Sequence, residues 1–99
     1  MVELVVSPSN SKHKRYKAVF TYEDGKVVTT HFGLKNAKKG TYIDHQDKNL
    51  RRNDRARHKN DLATNDYTRA GYLSYYILWG RQPNLRDAVA SYKKRFKLD

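Results

Sequence analysis

The sequence has no cysteine, and that absence removes a disulfide framework, thiolate chemistry and a cysteine zinc site together. An oxidising compartment is not required. Long apolar runs are missing too. No stretch suffices to span a bilayer, and the opening Met1-Val2-Glu3-Leu4-Val5-Val6 is too short and too acidic for a secretory signal. There is no glycine-rich phosphate loop, and the serines fall in no nucleophile-elbow pattern. Negative charge is scarce: ten Asp and Glu stand against 21 Lys and Arg, a formal charge of +11. The expectation is a cytosolic, nuclear or virion-internal chain that binds rather than catalyses.

What is present must be economical. Ninety-nine residues of which 37% are hydrophobic allow one compact domain with a modest core, completed by eight tyrosines and long side-chain stems. The positive excess repels itself and costs the folded state stability, so an anionic partner is expected to relieve it. Phosphate backbones, anionic lipid head groups and acidic proteins all qualify, with nucleic acid the commonest.

Along the chain, residues 2–6 have strand composition and Pro8 is expected to stop them, leaving a turn over 7–11. Residues 16–22 form a second strand. Asp24-Gly25 suits a two-residue type I′ turn that would set Glu23 opposite Lys26, with 26–32 returning as the other arm of a hairpin. Residues 33–40 read as a basic loop between two glycines, and Tyr42-Ile43 as a short extended piece. Asp44 is placed to cap an arginine-rich helix over 46–60, whose apolar face is only Leu50 and Ala56. After a polar linker over 61–67, Thr68 caps a buried-type helix over 69–79 that Gly80 ends. Asn84 with Asp87 then opens a last helix with Leu85, Ala88, Val89, Tyr92 and Phe96 at helical spacing. The predicted class is α+β: one domain over 1–99, its small antiparallel sheet, an N-terminal strand plus a β-hairpin, packed on two to three C-terminal helices.

Four basic clusters carry the candidate site. Arg51, Arg52 and Arg55 lie at i, i+1 and i+4, close enough on a helix for one guanidinium face, with His58 and Lys59 extending it. Arginine suits ordered phosphate contacts because its planar fork donates two hydrogen bonds to one phosphate. The lysine-rich clusters suit looser attraction: Lys12, Lys14 and Arg15 in the first; Lys35, Lys38 and Lys39 in the second; Lys93, Lys94 and Lys97 in the last. Neither kind of contact reads sequence, so the predicted activity is sequence-tolerant binding of nucleic acid, DNA ahead of RNA, with no cofactor. Tyr16, Tyr42, Tyr67 and Tyr72 sit near basic residues and either stack on unpaired bases or complete the core.

Three other readings compete. A module docking on an acidic protein would use the same patches. A metal-dependent nuclease would draw on His31, Asp44, His45, Asp47 and His58, whose spacing matches no ligand motif; these polar residues equally fit a network in which Arg57 pairs with Asp44 or Asp54. A membrane-surface helix would take the apolar residues of the last helix away from the core. A homodimer through the edge of the first strand is a further expectation.

Several short motifs in order, Ser7-Pro8-Ser9-Asn10 with Lys12-His13-Lys14, Thr30-His31-Phe32-Gly33, Tyr42-Ile43-Asp44-His45, Arg57-His58, Ala70-Gly71-Tyr72-Leu73-Ser74, Ile77-Leu78-Trp79 and Tyr92-Lys93-Lys94-Arg95-Phe96, give the chain a family likeness. It resembles the small basic proteins encoded by nucleocytoplasmic large DNA viruses, the giant viruses of amoebae and algae. The resemblance implies a viral protein packaged in the virion with the genome, or acting in the host nucleus or cytoplasmic viral factory, on nucleic acid or on host nuclear or virion proteins. It brings no catalytic residues with it.

Overall fold

A computed structural model describes residues 1–35 and 40–99, with the backbone alone at His58. Three antiparallel strands, β1 (Glu3–Pro8), β2 (Lys14–Thr21) and β3 (Val27–Leu34), make a sheet in the order β1-β2-β3. Helical elements follow: α1 (Tyr42–His45), α2 (Lys48–His58) running into a 3-10 helix (Lys59–Thr64), α3 (Ala70–Leu73) continuing as a π-helical turn (Ser74–Leu78), and α4 (Leu85–Phe96). This is the α+β arrangement expected from the sequence, strands first and helices after.

Alternation along the strands decides which face is covered. Leu4, Ala18, Phe20 and Phe32 are fully buried under the helices, while Glu3 and Val5 on the opposite face are exposed. Each such large apolar side chain contributes about 1.5–3 kcal/mol. The helices supply Leu73, Ile77, Leu78, Ala88 and Tyr92 to the same core. Tyr92 donates its hydroxyl to the Tyr67 carbonyl, and burial pushes its pKa up. Tyr72 donates to the Leu62 carbonyl at 2.9 Å. A core short of aliphatics is thus closed by tyrosines whose hydroxyls all but reach its rim and find backbone acceptors there.

Local chemistry corrects several expectations. Strand β1 ends at Pro8 as expected, but it includes Ser7 and Pro8 as paired residues, Pro8 opposite Tyr16, which an edge strand tolerates. The hairpin loop has three residues, not two: Tyr22 N–H bonds the Lys26 carbonyl at 2.8 Å and Gly25 N–H the Tyr22 carbonyl at 2.9 Å. Gly25 takes φ 89° and Asp24 does not follow it into positive φ, so Glu23 meets the terminal ammonium of Met1 instead of Lys26. Tyr42 and Ile43 are helical rather than extended. Asp44 reaches back to the Thr41 N–H at 2.8 Å and hydroxyl at 2.9 Å, which stabilises that turn; Asp47, not Asp44, caps α2 through the Asn49 and Leu50 amides. Arg69 rather than Thr68 is the N-cap of α3, while Asn84 and Asp87 cap α4 as expected.

The C-terminus covers the start of the β1 edge: Leu4 N–H bonds the Asp99 carbonyl at 3.1 Å and Asp99 N–H bonds the Val2 carbonyl at 2.8 Å, while Pro8 has no N–H to offer. No helix among the described residues is long and apolar enough to cross a membrane.

Candidate functional site

Two arginines of α2, Arg51 and Arg55, are held before any ligand arrives. At about 100° per residue, Lys48, Arg51, Arg52 and Arg55 fall on one face of the helix. That face meets the end of the π-helical turn, where the chain closes tightly: a Cβ on Gly80 would lie 2.1 Å from the Tyr76 carbonyl oxygen. The carbonyls of the two residues just past that turn meet the arginines. Arg51 Nε donates to the Gly80 carbonyl at 2.8 Å and Arg55 to the Trp79 carbonyl at 3.4 Å. Arg51 also lies over the Tyr42 ring at 5.4 Å and Arg55 over the Tyr75 ring at 4.1 Å. Cations at a helix C-terminus answer its negative dipole end, which explains why two guanidinium groups dock there.

Two residues the sequence reading did not select complete the site. Arg81, just past Gly80, joins Lys48, Arg51, Arg52 and Arg55 around a concavity of about 480 Å³. Arg95 of α4, held over the Tyr76 ring at 4.6 Å, faces a second concavity of about 400 Å³ that shares Arg55 and Arg81 with the first. The two are therefore one continuous tract. Among the described residues, no carboxylate lines either part. Burial, and then the neighbouring Arg55 and Arg81 charges, push the Arg51 pKa down. No signal in the sequence pairs position 55 with positions 81 and 95; only the Gly80 turn and the helical spacing of Arg95 from Tyr92 could have hinted at it.

The remaining predicted cations are distributed differently. Lys59 is exposed at the start of the 3-10 helix. Lys12 and Lys14 are exposed beside the first turn, and Lys35 is tied to it: its N–H bonds the His13 carbonyl at 2.9 Å and its Nζ the Ser11 carbonyl at 3.1 Å. Lys35 thus joins the first cluster across 22 or more positions of sequence. Arg15 is not available to an anion, because both its terminal nitrogens hold the Asp44 carboxylate at 2.7 Å, and this pairing keeps Asp44 well below the usual carboxylate range. Lys93, Lys94 and Lys97 stay apart from the arginine tract, on parts of α4 and its C-cap that line neither concavity. Lys38, Lys39 and the His58 side chain lie outside the described residues.

Of the four tyrosines left between base stacking and core, Tyr42 and Tyr72 are core residues, 7% and 8% exposed, whereas the half-buried Tyr67 and Tyr16 pack against the core, on Phe96 at 5.4 Å and on Phe32 at 5.8 Å. The candidate metal ligands His31 and His45 are also engaged. Ser9 Oγ meets His31 Nδ1 at 2.7 Å, and His45 Nδ1 accepts the Asp47 N–H at 2.8 Å. That bond puts the His45 proton on Nε2, which is buried without a hydrogen-bond partner among the described residues, in a ring 5.6 Å from that of Trp79. Arg57 pairs with Asp54 at 2.9 Å. Among the described residues, no three His, Asp or Glu side chains group closely enough to hold a metal ion.

No curated protein and no solved structure matches the chain. Residues 4–58 do match the family of unknown function DUF5754, over a stretch that runs from β1 to the end of α2 and takes in more than half of the sequence, so the chain belongs to that family.

Proposed function

We propose that this domain binds nucleic acid through the phosphate backbone, with little regard to base sequence. One observation carries the reading: five arginines converge on a continuous surface without a carboxylate among its lining residues. Such a cluster repels itself and is relieved by an anion. Arg51 and Arg55 are already oriented by carbonyls and rings, so little side-chain freedom is lost when a phosphate docks. With Tyr42 and Tyr72 in the core and Tyr16 and Tyr67 packed against it, duplex DNA is favoured over unpaired strands, which need exposed stacking surfaces. The resemblance to giant-virus proteins supplies the setting we propose: the viral genome in the virion, the host nucleus or the viral factory.

The test uses exposed members of the tract, because Arg51 and Arg55 also hold the fold. A 20-base-pair duplex titrated across a salt series should bind with a steep decline in log affinity against log salt. The double variant Arg52→Gln/Arg81→Gln should reduce that slope by about 2, at roughly 0.9 per lost phosphate contact, with an unchanged melting temperature. An unchanged slope in this variant overturns the assignment.

A further inference from the structure

The domain carries a second cationic surface that the arginine tract does not use. Lys12, Lys14 and Lys35 gather around the first turn. The nearby Asp44 is bound to Arg15, and Asp54, which lines the same concavity as Lys14, pairs with Arg57.

Helix α2 lies between the two groups of cations. Lys48, Arg51, Arg52 and Arg55 occupy one face of α2, whereas Leu50, Asn53, Asp54 and Arg57 occupy the opposite one. That opposite face, together with Lys14, Gly33 and Leu34, lines a concavity of about 630 Å³ between α2 and the end of the sheet. A helix ~10 Å thick and this gap therefore separate the lysines from the arginines. The spacing exceeds the Debye length of ~8 Å at physiological salt, so each surface attracts its own counter-charge. Each can therefore make phosphate contacts of its own.

We infer that the domain is bivalent: the arginine tract grips one duplex, the lysine surface holds a second, and the protein bridges them. This rests on the nucleic-acid reading above and adds a condensing function to it.

Two duplexes, one labelled with a donor and one with an acceptor fluorophore, test this with the full chain. Energy transfer between duplexes should rise on adding protein and fall again at large protein excess, when each duplex is coated separately. Lys12→Gln/Lys14→Gln/Lys35→Gln should lose at least tenfold of the transfer while still binding a single duplex. A charge-matched control, Lys26→Gln/Lys93→Gln/Lys94→Gln, should keep it. If the lysine variant bridges as well as the wild type, or both triple variants lose transfer equally, the second site is refuted. Binding of single duplexes without any transfer refutes bivalency and leaves the nucleic-acid reading standing; binding of no duplex refutes both.

Discussion

The arginine tract and the lysine surface are built from the same charge in opposite ways. Arg51 and Arg55 are half-buried, donate to backbone carbonyls and lie over tyrosine rings. Lys12 and Lys14 stand in solvent, and Lys35 touches only a turn carbonyl. A planar guanidinium keeps donors free after one of them has been spent on the fold, whereas an ammonium is a mobile point charge. The same positive charge therefore acts as a structural strut in one region and as loose attraction in the other.

The sharpest way to break this contrast is Arg51→Ala. Losing a charged hydrogen bond and a cation–π contact should destabilise the domain by about 2 kcal/mol in urea unfolding, in addition to weakening duplex binding. A stability change below about 0.5 kcal/mol would show that Arg51 is as free as the lysines.

Asp44→Asn should come next, at about 1 kcal/mol, since it ends the two-pronged pairing with Arg15 and weakens the α1 turn. Its pH dependence has a definite sign. The folded-state pKa of Asp44 is depressed, so its contribution is complete above the ordinary carboxylate value of about 3.9 and is lost as pH falls below it towards the lowered value. Unfolding midpoints of the wild type and the Asn variant should therefore converge on acidification below that value. Parallel curves would show that the pair contributes nothing.

The smallest effect is expected at Lys14→Gln. Stability should shift by less than about 0.5 kcal/mol, while the salt dependence of duplex binding flattens by about 1 under conditions where bridging occurs. A large loss of stability would mean that Lys14 is a strut too.

Legibility followed range. The strands, the hairpin and the Asn84 cap were readable because each depends on residues within a few positions of one another. The turn length was misread because Asp24-Gly25 suits either loop, and the choice lies in how Tyr22 and Lys26 meet. Residues 42–45 were misread because their helical turn depends on Thr41 and Asp44, with Asp44 held in turn by Arg15, 29 positions earlier. In the candidate site, the α2 face was readable from its spacing. Arg81 and Arg95 were not, since they reach it only through the close approach at Gly80 and the packing of α4 on the π-helical turn.

Composition and local pattern by themselves determined the sign and excess of charge, the strand-then-helix order and the amphipathic last helix, because these follow from side-chain chemistry and short-range backbone preference. Tertiary structure alone decided which tyrosines are buried, which arginine is spent on Asp44, and where the remaining cations converge. Electrostatic fields add up over distances in space, and only the folded chain sets those distances.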